Sequence, residues 1–173
     1  MELSNGNCGL KNYGNTCWLN TGLQCFFKCN KMTDFIKTHN FKSVFINEYK
    51  KVLEGIENEN CIISPISFIK SLAFHLDKHK YNLTILSQQD IHEFLVIFID
   101  LLHEETKHPV NMSVSGKIVT KTDRMAYNVM KDWQKYFENN YSKFIDIFYG
   151  QLVSKIEVIN SNKNIISYSY NPQ

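Results

Sequence analysis

A cysteine closes a run of small and amide residues in Gly9-Leu10-Lys11-Asn12-Tyr13-Gly14-Asn15-Thr16-Cys17-Trp18-Leu19-Asn20-Thr21-Gly22-Leu23-Gln24. The glycines and asparagines before Cys17 predict a loop, and the apolar spacing after it predicts a helix. A thiol in the first turn of a helix meets unpaired amides and the positive end of the helix dipole, which favour negative charge on sulfur. That is the setting of a nucleophile. Asn12, five residues upstream, carries an amide able to donate to an oxyanion that forms when Cys17 attacks a carbonyl. One such donor is worth about 2.7–4 kcal/mol in a comparable site. The competing readings are a loop asparagine bonded to its own backbone and a cysteine that is simply a small buried hydrophobe. Asn15 and Thr16 read as turn and cap residues, and Trp18 as packing.

The elements that must hold this loop follow from periodicity. The Cys17 helix extends to about Phe27, with Leu19, Leu23, Phe26 and Phe27 at helical spacing. Residues 32–38 form a short helix. Val44, Phe45, Tyr49, Val52, Leu53 and Ile56 mark another, broken at Asn58-Glu59-Asn60. Ser64-Pro65 reads as an N-cap followed by proline at the first helical position, ahead of Ile69, Leu72, Ala73 and Leu76. His75 and His79 have a spacing that can hold zinc, but with no acid or third ligand beside them they read as an exposed helix face. The clearest helix is predicted from Ser87, with Ser87-Gln88-Gln89-Asp90 as a capping box carrying Asp in the Glu place. Its buried face is Ile91, Phe94, Leu95, Phe98, Leu101 and Leu102. Residues 107–121 form a linker with weak strand character, and 125–148 a last helical zone containing Trp133, Tyr136, Phe137, Phe144 and Phe148. After Gly150 the period changes, and 151–159 with 164–170 read as a hairpin about Asn160-Ser161-Asn162-Lys163.

At 173 residues the chain fits one domain, and 43% hydrophobic residues supply a core. A net charge of +2, with no basic stripe interleaved with aromatics, argues against nucleic acid as the partner. No apolar run approaches a membrane span, and the first residues lack the charged start and apolar core of a secretory signal. The five cysteines are odd in number and clustered toward the N-terminus, so they are not a disulfide framework. They imply a reducing, intracellular setting, cytoplasmic or nuclear, with free and mostly buried thiols. Cys8, Cys25 and Cys29 are a conceivable zinc set, but Cys25 and Cys29 fall on a phenylalanine-rich helix and read as core. No metal or cofactor is expected.

Two segments together resemble the ubiquitin-specific proteases, the large papain-like group of deubiquitinating cysteine proteases. The stretch from Gly9 to Asn20, with Leu23-Gln24, resembles the family's cysteine box. Gln88-Gln89-Asp90-Ile91-His92-Glu93-Phe94-Leu95 resembles its second box. Weaker agreement follows at Trp133, Ser142, Phe148-Tyr149-Gly150 and the strand over 152–156.

This resemblance implies an α+β fold of papain-like architecture. Residues 1–148 would be mostly the helical thumb and 150–170 the first hairpin of the fingers, with the palm largely missing. The implied activity is hydrolysis of (iso)peptide bonds at the C-terminus of ubiquitin, and the implied partners are ubiquitin or ubiquitinated proteins. Cys17 would be the nucleophile and Asn12 the oxyanion donor. Asp90 and Glu93 would meet the arginine-bearing tail of ubiquitin through charge-assisted bonds, with Gln88 nearby as a further substrate contact. Asp90 and Glu93 read equally as a cap and a first-turn acid. The family's histidine comes from a later box, so His92 has no proton-transfer role. His108 is the last histidine in the chain. Loss of the general acid–base costs about 10²–10⁴-fold, so very low or no hydrolysis is expected of these 173 residues. The family's fingers often hold zinc through paired cysteines. Val158 and Ser161 stand where the first pair would fall, so the hairpin tip reads as a plain turn. A reading of a different class is a non-catalytic ubiquitin-binding module.

Overall fold

A computed structural model of the chain describes residues 8–57, 62–159 and 165–172, with side chains described up to residue 152. The predicted break at Asn58-Glu59-Asn60, Cys61, and the hairpin turn with Ser161 lie outside the described residues. Within them the order is β1 (Gly9–Leu10), α1 (Cys17–Phe27), α2 (Asn30–Thr38), α3 (Val44–Glu57), β2 (Ile62–Ile63), α4 (Ile66–Lys78), α5 (Ile91–Glu104), α6 (Lys121–Phe137), α7 (Lys143–Phe148), β3 (Val153–Ile159) and β4 (Ile165–Pro172). The fold is mostly helical. It divides into two compact units, Met1–Thr106 and Lys107–Gln173.

In the first unit, the apolar stripes of α1, α3, α4 and α5 close around aromatic rings. Phe98 is fully buried. Its ring meets those of Phe26, Tyr49, Phe94, Phe45 and Phe68 at centroid distances of 4.9, 5.1, 5.6, 5.8 and 6.0 Å. Aromatic pairs at such spacings add about 0.5–1.5 kcal/mol each beyond area burial. Helices α1 and α5 run side by side in the same direction, because Trp18 meets Phe94 and, two turns on, Phe26 meets Phe98. Gly22 makes this approach possible: a Cβ there would lie 2.5 and 2.7 Å from two ring carbons of Phe94. A short parallel sheet pairs Gly9 with Ile62 and Leu10 with Ile63. Two residues per strand carry no readable period, so the sequence did not signal it.

Several expectations need correction. Cys8 is buried, but Cys25 is exposed and Cys29 half-buried, so the thiols are not mostly core. The buried stripe of α1 is Trp18, Leu19, Gly22, Leu23, Phe26 and Phe27. Cys25 falls on the opposite face with Cys17 and Thr21. Helix α4 begins one residue late, with Pro65 at the cap position, and the Ser64 hydroxyl instead meets that of Tyr13. Ala73 faces outward. Helix α5 begins at Ile91 with Asp90 as its N-cap, while Ser87 belongs to the preceding turn, where its N–H donates to Thr84 O.

His75 is not on an exposed face. It is 6% exposed, with Nδ1 at 2.8 Å from Ser71 O and Nε2 at 3.3 Å from Glu105 Oε1. The Ser43 hydroxyl donates to Glu105 Oε2 at 2.7 Å, and Lys78 Nζ lies 3.0 Å from Oε1. Burial alone would raise the Glu105 carboxyl, but the bonds from Ser43 and Lys78 and the charges of His75 and Lys78 outweigh it and hold it below the ordinary 4.5.

The second unit pairs β3 and β4 antiparallel, Val153 opposite Pro172 and Lys155 opposite Tyr170. The predicted helical zone is two helices. The chain turns between them, where His108 and Tyr141 exchange backbone bonds of 2.9 and 3.1 Å. The linker has no strand beyond that bridge. Helix α6 starts earlier than predicted, at a capping box of Thr120 and Asp123. Ser142, fully buried, occupies the cap position of α7, and the Trp133 ring lies tilted against Phe137 at 4.5 Å.

Gly22→Ala sets a propensity gain of about 1 kcal/mol against overpacking of about 1–3 kcal/mol. The clash is with a fully buried ring, so a net loss of about 1–2 kcal/mol is expected in urea unfolding. Because Glu105 is more acidic folded than unfolded, its contribution is complete above the ordinary carboxylate range and disappears as pH falls through its lowered folded value. Glu105→Gln should therefore flatten the acid limb of a stability–pH profile while lowering the neutral plateau.

Candidate active site

Gly14 turns the chain ahead of α1. Its φ of +91° lies in the left-handed region that glycine enters without a Cβ clash. The turn carries Thr16 back onto Asn12. The Thr16 hydroxyl donates to Asn12 Oδ1 at 2.8 Å, and the Thr16 N–H reaches the same oxygen at 3.3 Å. Tyr13 N–H donates to Thr16 Oγ1 at 3.0 Å. Thr16 is fully buried, while Asn12 is exposed. The oxygen of Asn12 thus holds the turn, as a loop asparagine would. Its amino group meets no acceptor among the described residues. The two readings of Asn12 use opposite ends of one amide.

Cys17 is the first residue of α1 and is exposed. The first helical bond runs from Asn20 N–H to Thr16 O at 3.0 Å, so the amides of Cys17, Trp18 and Leu19 precede the ladder. Thr16, at the cap position, makes no side-chain bond to them, and the first turn contains no acidic residue. The cap expected of Thr16 is therefore not made, because its hydroxyl serves the loop instead. An accessible sulfur stands at a helix end whose amides are left for a negative charge.

The flanks of the loop are fastened. Asn20 Nδ2 lies 3.3 Å from Leu10 O and 3.4 Å from Lys11 O, and Lys11 N–H donates to Ile63 O at 2.8 Å. On the other side, Asn15 Nδ2 donates to Leu86 O at 3.1 Å and Trp18 Nε1 to Ser87 O at 2.9 Å, across 71 and 69 residues of sequence. Asn15 and Trp18, read as turn and packing residues, are also ties. Gln89, given no role of its own by sequence reasoning, holds the same segment through Thr84 O at 3.1 Å and Ser87 Oγ at 2.6 Å. Most of these acceptors are backbone carbonyls, which carry no signal in residue type.

Asp90 caps α5, accepting from His92 N–H at 2.7 Å. Gln88, Asp90, His92 and Glu93 are all exposed at this helix start. The parallel α1–α5 pair therefore puts the start of the Cys17 helix and the start of the Asp90/Glu93 helix at one end. Among the described residues, no group of three histidines, cysteines or acids is placed to hold a metal, and no helix is long and apolar enough to cross a membrane.

The profile of a family described as "Ubiquitin carboxyl-terminal hydrolase" matches residues 8–173. The chain belongs to the ubiquitin carboxyl-terminal hydrolase family. It is 27% identical over 177 residues to ubiquitin carboxyl-terminal hydrolase Usp2 of Drosophila melanogaster, covering 96% of this chain and 18% of that protein. It is 27% identical over 165 residues to human ubiquitin carboxyl-terminal hydrolase 2, covering 87% and 26%. The match to ubiquitin carboxyl-terminal hydrolase 4 of Saccharomyces cerevisiae is 25% over 175 residues, covering 86% and 18%. The chain thus spans about a fifth to a quarter of these relatives. In this family member the Cys17 loop and the segment from Gln88 to Glu93 lie at adjoining helix starts.

The cap at Asp90 separates two effects. Asp90→Ala removes the acceptor for His92 N–H and should cost about 1 kcal/mol in unfolding free energy, whereas Asp90→Asn keeps the cap and should change it little.

Proposed function

We propose that this chain carries the nucleophile half of a thiol-dependent ubiquitin hydrolase with papain-like architecture. Residues 1–148 would be its thumb and 150–170 the first hairpin of its fingers. One observation carries the reading: Cys17 is exposed at the uncapped start of α1, fastened to the segment that leads into Asp90 and Glu93. The Cys17 thiolate attacks the carbonyl carbon of ubiquitin's last glycine. The C–S bond forms and the carbonyl π pair moves to oxygen, where Asn12 donates to it. Collapse of this adduct breaks the C–N bond, and the leaving amine takes up a proton. Water then hydrolyses the thioester.

The proton for that amine needs an imidazole. His39 is bonded to Phe35 O, His75 is held between Ser71 and Glu105, and His108 lies on Tyr141. The Cys17 sulfur has no hydrogen bond among the described residues. The 173 residues are therefore expected to form an adduct far better than they turn over. Gln88, Asp90 and Glu93 would receive the tail of ubiquitin, the acids through its arginines.

Ubiquitin bearing a C-terminal electrophile should label the protein, with the adduct mapped by mass spectrometry to Cys17 and lost in Cys17→Ala. Turnover of a ubiquitin fluorogenic substrate should fall about 10²–10⁴-fold below that of a full-length relative. Turnover equal to the relative's would contradict this division of roles. Ubiquitin binding without labelling would favour the non-catalytic module. Glu93→Gln and Asp90→Asn should each weaken ubiquitin binding by about two- to fivefold, the range of exposed ion pairs. The loss should shrink with added salt.

A further inference from the structure

The residue before the nucleophile does something other than its type suggests. Thr16 sits at the cap position of α1 with φ −93° and ψ 17°, and its hydroxyl makes no bond to the helix. It is fully buried beneath an exposed loop. Its oxygen is already approached by one donor, the Tyr13 N–H at 3.0 Å. The hydroxyl donates to Asn12 Oδ1 at 2.8 Å. The Thr16 N–H arrives at that same oxygen at 3.3 Å.

Two donors converging on one end of an amide decide which end that is. An inverted Asn12 would set its own N–H against the Thr16 N–H, a repulsive contact, and the Thr16 hydroxyl proton would lose its acceptor. The oxygen must face Thr16 and the amino group must face outward. A terminal amide torsion is otherwise broad and roughly two-fold. A freely turning Asn12 would present its oxygen to a forming oxyanion about half the time. Gly14, with its left-handed φ, is what allows Asn12, Tyr13 and Thr16 to meet over five residues.

We propose that Thr16 is the positioning residue of the oxyanion site. Its hydroxyl and N–H lock the Asn12 side chain with the amino group turned out to receive the oxygen of a Cys17–carbonyl adduct. This rests on the reading of Cys17 and Asn12 given above. Thr16 touches neither substrate nor sulfur in this role and acts through Asn12 alone.

The test uses the 173-residue protein and two reagents that differ in whether an oxyanion forms. Ubiquitin C-terminal aldehyde adds Cys17 sulfur to its carbonyl carbon, and the thiol proton ends on the hemithioacetal oxygen. Iodoacetamide forms the C–S bond by displacing iodide, with no oxyanion. Thr16→Val keeps the branched shape and removes only the hydroxyl. It should weaken aldehyde binding about tenfold, leave the iodoacetamide rate at Cys17 within about twofold, and leave the protein folded. Thr16→Ser should stay within about threefold of the parent for the aldehyde. Asn12→Ala should lose at least as much as Thr16→Val, and the double variant no more than Asn12→Ala alone, because one effect acts through the other.

Additive losses, an unaffected Thr16→Val, or a Thr16→Ser that behaves like Thr16→Val would overturn the proposal. If Thr16→Val fails to fold, Thr16→Ala against Thr16→Ser carries the same contrast. A parent protein that reacts with iodoacetamide at Cys17 but forms no adduct with the aldehyde would instead sink the underlying reading of the site, and this proposal with it.

Discussion

The close approach of α1 to α5 at Gly22 is the constraint on which the rest depends. With hydrogen in place of a methyl group, Gly22 lets the ring of Phe94 lie against the helix backbone. Trp18 then meets the same ring edge-to-face at 5.2 Å while its indole N–H reaches Ser87 O. One packed contact thereby fixes two helix starts at once. The bonds within the cysteine loop shape its turn but do not by themselves place it against the rest of the fold. The loop is positioned by a hydrophobic contact one turn into the helix and by two side-chain bonds to a segment about seventy residues away.

The site is built from groups that forgo their usual bonds. A threonine at the start of α1 would normally satisfy a first-turn amide, a contribution of about 1 kcal/mol. Here that hydroxyl orients Asn12 instead, and the helix end stays open toward an accessible sulfur. Helix α5 follows the opposite plan: the Asp90 side chain caps its His92 N–H, and Glu93 adds an acid to its first turn. Two neighbouring helix starts thus carry contrasting electrostatics, one open to an anion and one already acidic. Such a contrast is what the proposed reaction calls for, with a cationic tail at one helix start and a forming oxyanion at the other.

Much of this was legible in the sequence because it is local. Leu19, Leu23 and Phe26 spell out α1, and Phe94, Phe98 and Leu101 spell out α5. The loop before Cys17 is written in Gly14, Asn15 and Thr16. What stayed hidden is either very short or very long in range. The parallel strands at Gly9–Leu10 and Ile62–Ile63 are too brief for any period. The burial of His75 sets it against Phe45 of α3 and Glu105 at the end of α5, thirty residues away on either side and outside any local window. Ser87 and Asp90 are both good caps three residues apart, and Ser87 is drawn into the preceding turn by its bonds to Thr84 and Gln89. Cys25 looked like core because its neighbours are phenylalanines, yet the helical period turns it away from them.

Cys25 also supplies the sharpest internal comparison. It and Cys17 are both exposed and lie on one face of the same helix, at opposite ends of it. If the helix start makes the nucleophile, then timed alkylation at neutral pH, read by mass spectrometry of the two peptides, will show Cys17 reacting faster than Cys25. Equal rates, or a faster Cys25, would contradict the account at its root.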